Sequence, residues 1–428
     1  MTREGARDMF DCNPMTRNGM TRNGGRKLRG PWTVWLAVGL AVMGLGLVAC
    51  GGGDDVQDGP ATIKVGAIFD LTGPTSDVGT VFAEGIRGHF EWLEQNGGID
   101  GRPVELLYQD YGYKVDRAEQ LYSQFVQEGA VAFLGWGTGD TEALRGRIAE
   151  DQIPFTSASF SHVLGDPAEA PYNFLVGPSY SDQLIILLDW IVEHHEGDHA
   201  PSVALMHHPS PFGRSPYEQG GKDYADRVGV ILETHEMPRG STDYTAELTR
   251  IRESGAGYVI FQTTSGPVSV ALRNARDLSM DFDFFCLNWC SNEVLTDLAG
   301  EAADGMIGSV SFSPPGEGVA GLADAEAFLA SQGASLEAKG MVYGQGWTTA
   351  AIMMEGVRRV LARDQDVTGA NIRAALESLE AFDTGGVTAP ITYSDQSHLG
   401  PRGMRLFQVQ GGQWQQLTDF RHAPEWEE

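Results

Sequence analysis

The feature that most limits the fold of this chain is an alternation of short apolar segments with amphipathic helical ones. Residues 63–69 form a nearly continuous apolar run, which is typical of a strand buried on both faces. A loop rich in Gly, Pro, Ser and Thr follows. Four apolar residues from Phe82 to Leu93 then recur with the spacing of one helix face. The chain thus begins as strand, loop and helix, the repeating unit of a parallel sheet.

The same unit recurs in two series. In the first, further strands are predicted at 104–108, 131–135 and 154–157. In the second, strands are predicted at 202–206, 230–235, 258–262 and 282–287. Strands that alternate with helices form parallel sheets with helices on both faces. We therefore predict an α/β fold with two lobes. Beyond residue 340 the pattern changes, and helices at 341–363 and 369–380 precede a hairpin at 404–417 that turns at Gly411 and Gly412.

The N-terminal segment has the pattern of an export signal. Basic residues at 22–29 precede an apolar run from Trp32 to Val48, which is short for a spanning helix of about 20 residues. The tetrad that ends at Cys50 resembles the bacterial lipobox, which implies a lipidated cysteine as the first mature residue. We predict a signal peptide at 1–49 and a flexible tether at 50–60, with an uncleaved anchor as the alternative.

The charge and the motifs of the chain exclude several functions. With 58 acidic and 30 basic side chains, its formal net charge is -28. Nucleic acid binding requires clustered Lys and Arg against phosphates, so we predict no nucleic acid partner. The sequence contains no P-loop, dinucleotide fingerprint, nucleophile elbow or zinc-protease motif. We therefore predict neither an enzyme, nor a cofactor, nor a metal site.

Two cysteines remain after Cys12 and Cys50 are set aside as parts of the export segment. Cys286 and Cys290 are separated by three residues. A disulfide in an oxidising compartment and two free buried thiols are equally compatible with this spacing.

Candidate binding residues lie in the loops after the strands. Ligands of open α/β sheets bind beyond the carboxyl ends of the strands. There the loops are small and hydroxyl-rich, and aromatic rings at their tips suggest a ligand with an apolar body. Helix capping or core packing would explain some of these residues as well. The predicted ligand-binding residues are Trp136, Gly137, Thr138, Gly139, Ser157, Ala158, Ser159, Phe160, Tyr180, Phe212, Thr264, Ser265, Asn288 and Trp289.

Three sequence blocks resemble a known family. They are Lys64-Val-Gly-Ala-Ile68, Leu71-Thr-Gly-Pro74 and the glycine-turn block from Asn96 through Gly101-Arg-Pro103 to Asp110. Together they resemble the type I periplasmic solute-binding proteins of branched-chain amino-acid and amide ABC transporters, over residues 62–417. The resemblance implies two Rossmann-like lobes joined by three crossovers, with a ligand closed between them. The implied lobes are 61–177 plus 307–390 and 178–306 plus 391–428, with crossovers near Val176–Ser179, Asp304–Gly308 and Ala389–Ser394.

The resemblance also implies partners and residue roles. We expect an exported monomer, anchored to the bacterial membrane through Cys50, that delivers a small ligand to ABC permease and ATPase subunits. A sensor subunit or an amide-processing enzyme on the same scaffold are the alternatives. The aromatic residue that covers the ligand in this family, usually Tyr, corresponds to Phe212. The acidic residue that meets an ammonium corresponds to Asn288, so the expected ligand is an amide, a urea-like compound or an aromatic carboxylate, unless Asp140, Asp182 or Glu293 supplies the charge.

Overall fold

The computed structural model describes residues 61–424, and the predicted signal peptide, Cys50 and the tether lie outside them. The first series forms a four-stranded parallel sheet of order β2-β1-β3-β4. Its elements are β1 (Ile63–Phe69), α1 (Ser76–Gln95), β2 (Val104–Asp110), α2 (Val115–Gln127), β3 (Ala130–Gly135), α3 (Thr138–Asp151) and β4 (Phe155–Ser157).

The second series builds a larger sheet in which β6, β5, β7, β8 and β9 run parallel. Short helical turns lie at His162–Gly165, Tyr217–Gly221, Asn288–Cys290 and Gly300–Ala303. The regular elements are α4 (Tyr180–His194), β5 (Ser202–His207), α5 (Pro211–Pro216), α6 (Lys222–Val228), β6 (Ile231–Glu236), α7 (Thr245–Ser254), β7 (Tyr258–Gln262), α8 (Ser265–Asp277), β8 (Asp283–Cys286), α9 (Glu293–Ala299) and β9 (Ile307–Val310).

The C-terminal helices and strands, after β9, pack against or extend the two sheets. Helices of this part pack onto the first sheet, and its strands extend the second sheet in antiparallel order beyond β9. They are α10 (Ala323–Ser331), α11 (Leu336–Lys339), α12 (Met341–Leu361), α13 (Gly369–Leu376), β10 (Gly403–Gln410), β11 (Gln413–Gln416) and β12 (Arg421–His422). The predicted hairpin with its turn at Gly411 and Gly412 is therefore confirmed, as is the α/β class.

Helices cover both faces of the second sheet. Along β5, Val203 and Leu205 join one hydrophobic cluster, which includes α4 and α6. The alternate residues Ala204 and Met206 join another cluster, which includes α7, α8 and α9. Because successive side chains of a strand point to opposite faces, this division shows a strand buried on both sides. Burial on both faces explains why the strands appear in the sequence as continuous apolar runs.

Strand pairing and core packing differ from the prediction at two lobe boundaries. Strand β9 pairs with β8, so the chain leaves the second sheet after Val310 and not near residue 307. Ile391 and Tyr393 lie in the hydrophobic core of the first lobe, so the last passage follows Tyr393 and does not begin at residue 391. Both boundaries had been placed by family resemblance, whereas strand pairing and core packing determine them. The first sheet with α1–α3 and α10–α13 is called the first lobe below, and the second sheet with α4–α9 the second lobe.

Glycines bring two helices of the first lobe into backbone contact. A Cβ on Gly85 of α1 would collide with the carbonyl oxygen of Tyr343 in α12, and a Cβ on Gly346 of α12 would collide with that of Phe82 in α1. The absence of a side chain at these positions therefore sets the distance between α1 and α12.

Candidate functional site

A single small cavity lies where the carboxyl ends of the two sheets face each other. Its volume is about 10 Å³, which is room for about one water molecule, so the lobes are closed together around it. Loops that follow β1, β2, β3 and β4 in the first lobe and β5, β7 and β8 in the second contribute to it, together with the start of α4. It is lined by Thr75, Tyr113, Trp136, Gly137, Thr138, Ala158, Tyr180, Phe212, Thr264 and Trp289.

Eight of the predicted binding residues line this cavity and six do not. The eight are Trp136, Gly137, Thr138, Ala158, Tyr180, Phe212, Thr264 and Trp289. The others lie within two residues of a lining residue: Gly139, Ser157, Ser159, Phe160, Ser265 and Asn288. Some of the six form hydrogen bonds with neighbouring residues. Ser159, for example, donates a hydrogen bond through its hydroxyl to Thr138 Oγ1 at 2.8 Å, and Ser265 donates to Asn292 Oδ1 at 2.8 Å. Ser159 therefore supports a lining residue, and Ser265 is paired within the second lobe.

Aromatic rings from both lobes meet in the cleft. The indoles of Trp136 and Trp289 approach edge to face, with 4.8 Å between ring centroids. Phe160 stacks behind Trp289 with centroids 5.7 Å apart and an angle of 11° between the rings. Phe82 of α1 contacts both indoles. The cleft is therefore closed by rings, and a ligand that enters this space contacts mainly apolar surface.

The indole N–H groups in the cleft already have partners. Trp136 Nε1 donates to Thr75 Oγ1 at 2.7 Å, and that hydroxyl in turn donates to Asp70 Oδ2 at 2.6 Å. Trp289 Nε1 donates to the hydroxyl of Tyr180 at 2.8 Å, which donates to the carbonyl oxygen of Ala158 at 3.2 Å. These two hydrogen-bond chains fix the orientation of both indoles.

One polar side chain of the cavity lining lacks a partner within hydrogen-bond distance. Thr264 Oγ1 is buried and makes no short hydrogen bond, although it lies near the carboxyl group of Asp77. Thr138 begins α3, whose N-cap residue Gly137 provides no side-chain cap. Buried polar atoms are normally paired, so Thr264 and the start of α3 are suited to hold the polar group of a ligand.

Gly137 allows a buried carboxyl group to approach the cavity wall. A Cβ at this position would collide with Asp140 Oδ1 and with the hydroxyl of Tyr111. Tyr111 donates to Asp140 Oδ1 at 2.9 Å, whereas Asp140 Oδ2 has no partner. Burial raises the pKa of Asp140 to about 7, against hydrogen bonds that favour the charged form. This carboxyl group lies behind Gly137 and does not line the cavity.

None of the ten lining side chains carries a charge. Asn288, which the resemblance matches to an acidic position, exchanges two weak hydrogen bonds with the amide of Gln345 at 3.4 and 3.5 Å. Two of the acidic residues proposed as substitutes are engaged elsewhere. Asp182 forms an ion pair with Arg402 at 3.1 Å, and Glu293 accepts a hydrogen bond from Met341 N–H at 3.0 Å.

Several polar contacts join the two lobes outside the cavity. Asp77 of α1 accepts a hydrogen bond from Gly266 N–H at the start of α8, with Oδ2 2.7 Å from the nitrogen. Burial raises the pKa of this carboxyl group. Gln219 of the second lobe accepts hydrogen bonds through Oε1 from His162 N–H at 2.8 Å and from Ser161 Oγ at 3.0 Å. These contacts stabilise the closed arrangement.

Tyr113 and Thr75 are lining residues that were not among the predicted ones. Tyr113 has a φ of 58°, a left-handed conformation that is unusual for an aromatic residue. Its ring lies edge-on to His208 of the second lobe, with 5.7 Å between centroids. Strained residues cluster at functional sites, but the sequence Tyr111-Gly112-Tyr113 gives no sign of this conformation. Thr75 lies in a loop with several Ser and Thr residues, and the sequence does not show which of them lines the cavity.

Cys286 and Cys290 are joined by a disulfide bond, with Cα atoms 5.7 Å apart. The bond closes the turn that carries Trp289. Among residues 61–424, no cluster of three or more His, Cys, Asp or Glu is arranged to hold a metal ion. In the same part of the chain, no helix has the length and apolarity needed to span a membrane.

Comparison with known proteins identifies the family. The model of the periplasmic binding protein family matches residues 62–413. A leucine-, isoleucine-, valine-, threonine- and alanine-binding protein of Pseudomonas aeruginosa is 20% identical over 254 residues, which are 58% of this chain and 66% of that relative, just under two thirds of its length. A Leu/Ile/Val-binding protein homolog of Brucella melitensis is 20% identical over 340 residues, or 77% of this chain and 90% of the relative.

Solved structures agree with this assignment. The structure of a branched chain amino acid ABC transporter from Thermus thermophilus with bound valine is 27% identical, with a TM-score of 0.80, and covers 85% of this chain and 97% of that one. A substrate binding protein of an ABC transporter from Aeropyrum pernix is 28% identical, with a TM-score of 0.78, and covers 85% and 96%. This chain therefore belongs to the periplasmic binding protein family and is of the type found in branched-chain amino acid ABC transporters.

Proposed function

We propose that this protein captures a small solute in the cavity between its lobes and delivers it to the permease of an ABC importer. The observation that carries the proposal is the convergence of loops from both sheets on one cavity, with Trp136 and Trp289 in contact across it. Binding residues on both lobes couple ligand capture to closure, because a ligand that touches both favours the closed state.

The lining of the cavity favours a ligand with an apolar body and an uncharged or anionic polar group. Relatives are named for binding leucine, isoleucine and valine, which are zwitterions. A buried ammonium needs a paired charge or several acceptors. No lining side chain is charged, and the side chain of Asn288 is paired with Gln345. We therefore propose a branched or aromatic carboxylate or amide in preference to a free amino acid.

The test is a thermal-shift comparison of matched compounds on the full chain, expressed with its own N-terminal segment so that processing occurs as in cells. One set is L-leucine, 4-methylpentanoate and 4-methylpentanamide, and a second is L-phenylalanine, 3-phenylpropanoate and 3-phenylpropanamide. The three compounds within each set share the same apolar body and differ only in their polar groups. A ligand that binds only the folded form raises the melting temperature through a stabilisation of RT ln(1 + [L]/Kd).

We expect the compounds without an ammonium group to raise the melting temperature more than the matching amino acid does. The Trp136→Ala and Trp289→Ala variants should lose this shift. A larger shift with L-leucine and L-phenylalanine would contradict the ligand class. A shift that persists in both variants would place binding outside the cleft and would contradict the site.

Anchoring through Cys50 is a separate part of the proposal, supported by the lipobox-like tetrad of the sequence. Acyl chains contribute about 0.8 kcal/mol per buried CH₂ to membrane binding, so two or more chains hold a protein stably. We expect the wild-type protein in the membrane fraction and the Cys50→Ala variant in a different fraction or unprocessed. Mass spectrometry of the mature N-terminus that showed an unmodified Cys50 would contradict the lipid anchor.

A further inference from the structure

The turn that presents Trp289 to the cleft is closed by a covalent bond. Cys286 ends β8 and Cys290 ends the helical turn Asn288–Cys290. The disulfide between them encloses only Leu287, Asn288 and Trp289. Both cysteines are fully buried and belong to the core of the second lobe, which includes α7, α8 and α9. The turn that carries the lining residue Trp289 is therefore attached covalently to this core.

Most ring contacts of Trp289 come from the opposite lobe. Trp136, Phe160 and Phe82, which pack against the indole, all belong to the first lobe. On its own side, the indole has the hydrogen bond to Tyr180 at 2.8 Å. When the lobes separate, the three ring contacts are lost. An indole on an unconstrained turn would then explore other rotamers, and closure would have to order it again.

We infer that the Cys286–Cys290 disulfide is a positioning element of the binding site, which keeps Trp289 directed into the cleft while the lobes are apart. The inference rests on the proposed function. A loop closed over so few residues restricts the backbone angles of Asn288 and Trp289, so less conformational freedom is lost when a ligand is bound. Such short loops contribute least to stability against unfolding, since the entropy removed from the unfolded chain grows with loop length. The effect of this bond is therefore expected in binding more than in melting.

The test uses the full chain with Cys286→Ala and Cys290→Ala combined. Its first readout is the near-ultraviolet circular dichroism of Trp289. In the wild type this signal is the spectrum of the protein minus the spectrum of the Trp289→Phe variant. In the disulfide-free variant it is the spectrum without and the spectrum with the added Trp289→Phe substitution, subtracted in the same way. The second readout is the affinity for two probes, 3-phenylpropanoate and L-leucine. Leu248→Ala is the matched control, because Leu248 is fully buried in the same core but lies on α7, away from the turn.

We expect the disulfide-free variant to lose most of the Trp289 signal and to bind the probes ~3- to 10-fold more weakly, the cost of ordering one large side chain again. Leu248→Ala should lower the melting temperature while leaving the Trp289 signal and the affinity unchanged. Reduction of the wild-type protein followed by reoxidation should remove and restore the signal.

An unchanged Trp289 signal in the disulfide-free variant would overturn the inference. A lower melting temperature with unchanged affinity would overturn it as well, since the bond would then be structural only. If neither probe binds the wild-type protein, the proposed ligand class fails, and the Trp289 signal still decides the role of the disulfide.

Discussion

The indole of Trp289, on the second lobe, lies edge-on against the indole of Trp136, on the first, with their ring centroids 4.8 Å apart. Each indole N–H is bound within a hydrogen-bond chain, to Tyr180 and to Thr75 respectively. In this closed arrangement the two rings are therefore held in place, and they connect the lobes through apolar contact. We therefore expect ligand binding and lobe closure to depend on the same pair of residues.

Truncation of either ring is expected to affect binding more than folding. Trp136→Ala or Trp289→Ala should weaken ligand binding by about 2 kcal/mol, or ~30-fold, as central aromatic anchors do. The melting temperature of the unliganded protein should change less, because these rings lie at the junction of the lobes. Isothermal titration and thermal denaturation measure the two effects. Trp190→Ala on α4, where the ring stacks on His194, is the control and should leave affinity unchanged. Equal losses in both measurements would show that the rings are structural.

The buried carboxyl group of Asp140 should make stability depend on pH. Burial raises its pKa to about 7 in the folded protein, above the value of 3.8 expected when it is exposed. Between these values the folded state binds more protons than the unfolded state, so its contribution to the free energy of unfolding decreases as pH rises from about 4 to 7. Asp140→Asn keeps an acceptor for the Tyr111 hydroxyl but does not titrate.

The measurement is the melting temperature of both proteins at pH values from 4 to 8. The advantage of Asp140→Asn over the wild type should grow as pH rises to about 7 and then level off. A difference that does not vary with pH would contradict the raised pKa of Asp140.

The amide of Gln219 should stabilise the closed state. Gln219→Ala removes the acceptor of the His162 N–H across the lobes, a hydrogen bond worth about 1 kcal/mol. We expect a larger radius of gyration in X-ray scattering and ligand affinity reduced ~5-fold or more, because the open state gains population. Gln365→Ala, at an exposed position of the first lobe, should change neither. Unchanged scattering together with unchanged affinity would show that this bond does not hold the lobes.

A carboxylate at position 288 should not create an amino-acid site. Asn288→Asp would place a charge beside Gln345 Oε1, at a buried position outside the cavity. We expect a loss of stability of about 1–3 kcal/mol at neutral pH, since a buried acceptor loses its donor and a charge is desolvated. The loss should shrink at low pH as the carboxyl group is protonated. A gain of L-leucine binding in calorimetry would contradict this position for residue 288.

The sequence predicted the parts of the fold that depend on local periodicity. The apolar run of β5 and the hairpin of β10 and β11 follow from alternation and turn residues, and both are present. Local periodicity does not indicate the break before α6, where Gly220 adopts a φ of 112° within the turn Tyr217–Gly221. Strand β9, with four residues and no distinctive pattern, was not predicted, and this omission displaced a lobe boundary.

The candidate site was predictable to the extent that it consists of loop residues beyond strand ends. Trp136 and Trp289 could be found in this way. The left-handed backbone of Tyr113 and the pairing of Asn288 with Gln345 could not, since the first depends on loop geometry and the second on a residue far along the chain. The family resemblance matched Asn288 to a position that binds an ammonium group. In the structure the Asn288 side chain instead pairs with Gln345 of α12.

The glycine contact between α1 and α12 determines which parts of the molecule can yield when the cleft opens. With no side chains between Gly85 and the backbone of α12, these helices cannot slide past each other without collision. Helix α1, which carries Asp77 and Phe82 to the cleft, is thus expected to travel with its whole lobe as one block. The backbone would then bend only in the three crossover segments that connect the lobes. Substitutions in these segments should therefore alter the rate of opening without changing the cavity lining.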